Sequence, residues 1–506
     1  MKKKMLYMIV VVSLFLSSCP QPTGVGLEPP AVPAAPALRP GNNKLILSWP
    51  AVRGADSYEV FCGKTETGVS LAQTVNVPAA AISGLENGTT YYLRLRAKNS
   101  AGTSGFSPSV TGEPALQLPS PSLIRGDTRL SISWAAEDGV NYEVWYGVSG
   151  DHGAAGKWAG PVTSLGITAA ATITGLANGT AYHVWIKAFP NTESETGGFG
   201  AETTGIPEAA PASVPENFVY VPGGTVTGSD GCAFTVTVPT SPAGYTGAGT
   251  SSIRKGVFVE GRRADIDSFV MATYETTRQL WYEVQSWAVS NGYHFQNNPV
   301  TSAPSETVKN KPLTGISWRD AIVWCNAYSE MRGKQPVYYL GVVPANVIRD
   351  SRDSAACDGA VMDKTKTGYR LPTEAEREFA ARGGNPANAA WLFMYAGSDN
   401  ADAAAWHHGN SPYLTRAVGG KAANTLGIFD LSGNAQEWCW DWMNWAVDVT
   451  PSTPVDGAAY SAAANQKAFN GGGVGSNITY SCVSYRWGYT SEYTNNYVGF
   501  RVVCKP

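Results

Sequence analysis

Three groups of residues in this chain carry chemistry. The first is its cysteines: Cys19, Cys62, Cys232, Cys325, Cys357, Cys439, Cys482 and Cys504. Thiolates bind soft metals, attack electrophiles or pair as disulfides. No CxxC spacing occurs and the chain has only 5 His, so a structural zinc site lacks a ligand set. The second is the segment "FDLSGNAQEW", where Asp430 and Glu437 enclose Gly433 and Ala435. Carboxylates and backbone carbonyls from one short loop are hard oxygen donors, which suits calcium. The third is "NGGGVGSNITYSCVSYRWGYTSEYTNNYVGFRVVC", residues 470–504. From Gly473 to Tyr497, 16 of 25 residues are Tyr, Trp, Asn, Ser or Thr. Tyr and Trp give large rigid contact area at low entropy cost, while Ser and Asn give adaptable hydrogen bonds. This composition predicts a recognition surface, with Tyr480, Tyr485, Trp487, Tyr489, Tyr493 and Tyr497 as its contacts. No paired catalytic carboxylates stand in a clear motif.

The elements that hold these residues can be read from length and pattern. A chain of 506 residues is too long for one core and suggests about three domains. Charged residues are 15% of it, well below the usual quarter, and Gly and Pro are plentiful, as in loop-rich β modules outside the cell. Net charge is -3 and no basic run occurs after the first four residues, which leaves no electrostatic footprint for nucleic acid. Lys2, Lys3 and Lys4 precede the apolar run Met5 to Leu16, too short to span a bilayer as a mature helix. The run ends in Leu16-Ser17-Ser18-Cys19, which resembles a bacterial lipobox with cleavage before Cys19 and lipid on its thiol. The expected product is anchored to a membrane of the cell envelope, at the outer membrane or cell surface, without spanning it. Residues 1–18 then read as leader and 19–30 as tether. Removing Cys19 leaves seven cysteines, an odd number that keeps at least one thiol unpaired.

An internal repeat comes next. "KLILSW", "SYEVF" and "LENGTTYYLRLRAKNSAG" recur as "RLSISW", "NYEVWYG" and "LANGTAYHVWIKAF". Trp49 matches Trp134, Tyr58 matches Tyr142 and Tyr91 matches Tyr182. Alternating apolar and polar positions mark strands, and Asn87-Gly88 and Asn178-Gly179 mark turns. A core Trp and a corner Tyr fit a seven-stranded sandwich. Residues 31–114 and 117–206 resemble fibronectin type III domains. Neither clusters catalytic side chains, so both read as spacers.

From residue 214 the texture changes. Thr276 with Gln279, Ser317 with Asp320 and Thr373 with Glu376 predict three helix starts. Apolar stripes come after two of them, at Leu280, Val284, Trp287 and Ala288, and at Ala321, Trp324, Cys325 and Tyr328. Six segments occur in order: "FVYVPGG", "YETTRQLW", "PLTGISWRDAIVWCN", "YRLPTEAEREFAARGG", "GIFDLSGNAQEWCWDW" and a terminal "GG…C…R…GFRVV". Residues 214–506 thus resemble the formylglycine-generating-enzyme-like (sulfatase-modifying-factor) domain. The fold class expected for the whole is multidomain: two all-β fibronectin type III sandwiches, then an α+β C-type-lectin-like domain.

That resemblance implies several things. It makes the side chains of Asp430 and Glu437 and the carbonyls of Gly433 and Ala435 a calcium site. It places Cys325 and Cys504 at or near a family disulfide. Enzymes of the family oxidise a substrate cysteine to formylglycine with a copper-binding cysteine pair, since soft sulfur selects Cu(I). Here the first cysteine position falls near Ser476 or Asn477 and only Cys482 remains, so the pair is incomplete. Binding of an external protein or glycan is therefore the expected function. Formylglycine generation at Cys482 is the alternative, and an adhesive, carbohydrate-binding surface protein a third reading. The C-terminal composition also resembles the variable proteins of diversity-generating retroelements, whose randomised codons yield Tyr, Ser, Thr and Asn.

Overall fold

The structure, a computed structural model, describes residues 28–190, 197–229, 232–237, 251–341, 346–444, 449–454 and 466–506. The expected leader and Cys19 lie outside them. The chain divides into two compact units between Gln117 and Leu118.

The first unit is a fibronectin type III sandwich. Ala37–Gly41, Lys44–Ser48 and Ala79–Ser83 form one antiparallel sheet. Ser57–Gly63 and Tyr91–Asn99 centre the other. Strand alternation sends Leu45, Leu47, Val60, Leu93 and Leu95 inward, where they are fully buried around Trp49. The Tyr91 hydroxyl accepts from the Glu86 N–H at 3.1 Å, the strand corner that the repeat predicts.

The second unit opens with the same sandwich and does not stop there. Strand β1 (Ser122–Gly126) pairs with β2 (Arg129–Ala135) on one side and with β3 (Gly224–Thr227) on the other. β3 pairs onward with β4 (Arg263–Ile266), giving a six-stranded sheet that runs from sandwich into C-terminal domain. Ile124 of the sandwich is 4% exposed and packs with Val221, Val226, Ile266 and Phe269 in a core of the C-terminal domain. The spacer expected between residues 117 and 206 is thus continuous with the C-terminal domain.

The C-terminal domain is α+β with a C-type-lectin-like fold. Helices α1 (Arg278–Ser290) and α2 (Trp318–Met331) pack through Trp281 and Trp324, whose rings stack at 6.1 Å over Phe500. Two of the three expected capping pairs form, Ser317 with Asp320 on α2 and Thr373 with Glu376 on α3 (Glu374–Ala381). The cap of α1 is Thr277 rather than Thr276. Thr276 is occupied as a strand-like residue: its N–H donates to the Phe500 carbonyl and its carbonyl accepts from Leu313. The one-residue shift makes Trp281 the fully buried centre of α1, with Leu280 and Trp287 only partly buried. A four-stranded sheet completes the domain, in the order β7 (Arg486–Tyr489), β6 (Gln466–Asn470), β5 (Gln436–Met443), β8 (Val498–Phe500). Among the described residues no helix is long and apolar enough to cross a membrane.

Candidate functional site

The C-terminal sheet is clamped from behind by α3. Its sequence, Glu-Ala-Glu-Arg-Glu-Phe-Ala-Ala, would suit a surface helix, yet every residue in it is buried. Each charge has a partner. Glu374 binds Arg486 of β7 at 2.5 Å, Glu376 binds Arg370 at 2.7 Å and Glu378 binds Arg382 at 2.8 Å. Arg377 donates to Glu437 of β5 at 2.8 Å, and Arg501 donates to the other oxygen of Glu437 at 2.7 Å. Side chains of this Arg–Glu–Arg triad are 0% exposed. Burial pushes the Glu437 carboxyl up, and the two arginines outweigh it, leaving it below the ordinary range. Burial likewise works against Glu376, but Arg370 brings it down to about 2. Breaking such a pair leaves an uncompensated interior charge, so the helix fixes the geometry of the strands.

A second brace is Lys467 on β6. It is 1% exposed, with its ammonium 3.8 Å from the Trp318 ring and 3.7 Å from that of Trp442. It donates to the Trp440 carbonyl at 3.2 Å. Its register partner across the sheet is Tyr489.

On this scaffold the predicted contacts sort themselves. Trp487 and Tyr489 are 40% and 41% exposed on β7, an edge strand. Between them Gly488 faces inward, where a Cβ would meet Met443 at 2.6 Å. Tyr489 stacks on Tyr493 at 4.0 Å and 10°, and both lie near-parallel to Phe469. Tyr493, Tyr480 and Tyr497 are half-buried. Tyr485 is not a surface contact: at 4% exposure it belongs to a core cluster with Tyr395, Ala404 and Cys482. Tyr497 lies over Gly475, where a Cβ would come within 2.5 Å of its ring.

Sequence reading missed the other side of Tyr497. Tyr413 and Leu414 are 56% and 57% exposed. The Tyr413 ring sits 5.8 Å from that of Tyr497 and edge-on to His408 at 4.7 Å. Its backbone has φ +56°, strained for a bulky residue, and its N–H donates to the Val474 carbonyl at 3.1 Å. The loop Asn410–Leu414 has no periodicity, so nothing in the sequence announced it.

Cys482 is fully buried in a core cluster with Tyr395, Ala404 and Tyr485. Cys325 and Cys504 are free thiols. The expected Cys325–Cys504 disulfide is therefore corrected. Both side chains are buried in one core, and Arg370 lies near both thiols. Burial pushes both thiols up.

The acidic loop fits calcium only in part. Asp430 (φ +57°) is buried, accepts from the Gly419 N–H at 2.7 Å through Oδ2, and leaves Oδ1 without a partner. Glu437 is already shared between two guanidiniums. The Ala435 N–H and the Asn434 amide both donate to Glu275, at 2.8 and 2.7 Å. Glu275 comes from the "YETT" segment and was not foreseen; burial, then Asp430 and Glu437, push its carboxyl well up. Among the described residues no three His, Cys, Asp or Glu side chains converge as a metal cluster.

A C-type-lectin-like α+β domain, clamped by interior ion pairs and presenting aromatic rings from its last strands, defines the class of protein. The sulfatase-modifying factor enzyme 1-like domain matches residues 203–506, and the chain belongs to that family. It is 29% identical over 259 residues to "Chaperone protein LppX" of Paenibacillus barcinonensis, covering 48% of this chain and 82% of that protein. It is 26% identical over 272 residues to the formylglycine-generating enzyme of Thermomonospora curvata, covering 50% and 80%. The solved structure of Treponema denticola variable protein 1 is 26% identical, with a TM-score of 0.40, over 56% of this chain and 95% of that one.

Proposed function

We propose that this protein is a lipid-anchored protein of the bacterial envelope whose C-terminal domain recognises an external ligand, a protein in the first instance. The carrying observation is Trp487 and Tyr489, two exposed rings on an edge strand whose inward residues, Arg486 and Gly488, are fixed against Glu374 and Met443. Large aromatics held rigid before binding lose little entropy on contact, which is how interfaces gain affinity. Support for the anchor is the leader pattern ending at Cys19, and the composition of residues 473–497 supports diversification by a retroelement. The coding DNA tests that last point: a reverse-transcriptase gene and a near-copy template differing at adenines are expected beside the gene, and their absence removes the retroelement.

Formylglycine generation is the second reading, favoured by the likeness to the Thermomonospora curvata enzyme. Against it stands the burial of Cys482, which is fully enclosed in a core cluster with Tyr395, Ala404 and Tyr485. Incubating the protein with copper, oxygen and a Cys-x-Pro-x-Arg peptide separates the two. Binding predicts no thiol-to-aldehyde mass change; conversion lost in Cys482→Ser would make the domain an oxidase. Calcium is proposed for the loop through Asp430, the donor with an oxygen to spare. Equilibrium dialysis with the wild type and Asp430→Ala measures it.

A further inference from the structure

The loop Thr494–Tyr497 is hydrogen-bonded back to Gly315, and together they line an open, shallow depression of about 350 Å³ formed by Gly315, Thr494, Asn495, Asn496 and Tyr497. That lies at the small end of the ~300–1,000 Å³ usual for small-molecule sites. Asn495 builds the wall. Its amide donates to the Tyr493 hydroxyl at 2.8 Å and accepts from the Tyr497 N–H at 2.9 Å, and its carbonyl accepts from Gly315 at 3.0 Å. The loop therefore has its shape before a ligand arrives. Gly315 has φ +82°, and nothing but Asn496 and Pro299 lies near where its Cβ would be, at 3.8 Å. Asn496 and Thr494 are exposed. Tyr497 completes the lining, and its half-buried ring lies 5.8 Å from that of Tyr413.

The chemistry of the lining selects its occupant. No lining side chain is charged, so an ionic ligand would lose water without gaining a counter-charge. An amide and hydroxyls both donate and accept, matching neighbouring hydroxyls on a ligand. A tyrosine face takes an apolar ring surface. We propose that this depression binds one neutral saccharide unit, with Asn496 and Thr494 bonding its hydroxyls and Tyr497 covering its ring, and with no metal in the contact. The inference rests on the reading that this face meets an external ligand, and gives it a second, chemically distinct subsite.

Saturation-transfer NMR on the full-length chain tests it, with glucose, galactose and N-acetylglucosamine against glucuronate and glucosamine. At least one neutral sugar is expected to give transfer, and the charged pair none. Asn496→Ala and Tyr497→Ala should each weaken binding about tenfold, the loss of one good hydrogen bond or ring contact. Leu340→Ser, an exposed change on a different strand, should keep it. Thr494→Val removes only a hydroxyl at an exposed position, so its loss of binding is not a folding defect. Absence of transfer from every neutral sugar, equal transfer from the charged ones, or full binding by Asn496→Ala overturns the proposal. Were a protein ligand then found to depend on Trp487 and Tyr489, the subsite would fall while the wider recognition reading stood.

Discussion

The two sandwiches have nearly the same interior and different edges. Trp49 meets Tyr58 at 5.3 Å and 71°, and Trp134 meets Tyr142 at 5.6 Å and 64°. Both corner tyrosines accept a backbone N–H at 3.1 Å. Asn87 and Asn178 accept from Asn43 and Thr128, each at 2.9 Å. The difference lies in the strand before each "W" strand. Register aligns Pro40, opposite Leu45, with Arg125, opposite Leu130. Pro40 has no N–H and cannot extend a ladder. Arg125 donates its N–H to Gly223 at 3.0 Å and its guanidinium to the Ile266 carbonyl at 2.9 Å. One residue earlier, exposed Arg39 aligns with buried Ile124. Charge and proline on an edge strand block pairing, while an apolar residue and a free donor invite it. Gly224 completes the joint, since a Cβ there would come within 2.1 Å of the Leu123 carbonyl. A module's core makes it a sandwich; two edge residues decide whether it stands alone or becomes part of its neighbour.

Exchanging those two residues breaks the contrast most severely. Ile124→Arg with Arg125→Pro gives the second sandwich the edge of the first. It buries a charge in an apolar core and removes a ladder bond, which should cost more than about 5 kcal/mol. Urea unfolding should then show the sandwich and the C-terminal domain melting separately, where the wild-type unit melts as one. The reverse change, Arg39→Ile, lies at an exposed position and should stay within about 0.5 kcal/mol. A single unchanged transition in the double variant would mean that the continuous sheet contributes little.

Ion pairs sharpen the same contrast. In the first sandwich Glu59 pairs with Arg96, which is 31% exposed, and Glu59→Gln should cost less than about 1 kcal/mol. In the C-terminal domain Glu437→Gln strands two interior guanidiniums and should cost about 4 kcal/mol. Chemical denaturation of both variants reads the difference directly. A loss restored by triple replacement of Arg377, Glu437 and Arg501 with apolar residues would assign it to stranded charge rather than to packing.

What the sequence disclosed divides along the same line. Local signals were legible: the Trp and Tyr positions of the repeat, the Asn-Gly turns, and the boxes at Ser317 and Thr373 all act within a few residues. Distant pairings were not. Glu437 meets Arg377 from 60 residues away and Arg501 from 64, and no periodicity encodes such a meeting. The same holds for β1 with β3, for Glu275 beneath the acidic loop and for Tyr413 against Tyr497. In the candidate site the aromatic composition was readable, but which ring faces water was not. Tyr485 and Trp487 are two residues apart and opposite in exposure, because Tyr485 precedes the strand and drops into the Tyr395 pocket while Trp487 stands on the edge.

Acid separates the two regions by a smaller amount. The folded Glu376 carboxyl lies at about 2, below its ordinary 4.5, because Arg370 outweighs burial. A depressed carboxyl contributes stability that is complete above pH 4.5 and is lost as pH falls through 2, on the order of 3 kcal/mol in all. Urea midpoints of the wild type should fall between pH 5 and pH 2 by that much more than those of Glu376→Gln. A parallel fall in both would place the acid sensitivity elsewhere.

The smallest structural effect belongs to the residue with the largest functional one. Trp487 is 40% exposed on an edge strand held by Arg486 and Gly488, so Trp487→Ala should change stability by less than about 0.5 kcal/mol. A central interface tryptophan typically costs about 2 kcal/mol or more when truncated, about thirtyfold in affinity. The first sandwich offers a matched control in Leu71, an edge-strand side chain at 53% exposure. If the face is a recognition surface, Trp487→Ala weakens ligand capture about thirtyfold at unchanged melting temperature and Leu71→Ala changes neither. If both variants capture ligand as well as the wild type, exposure at Trp487 is only the ordinary roughness of an edge strand, and recognition must be sought around Tyr413 and Tyr497.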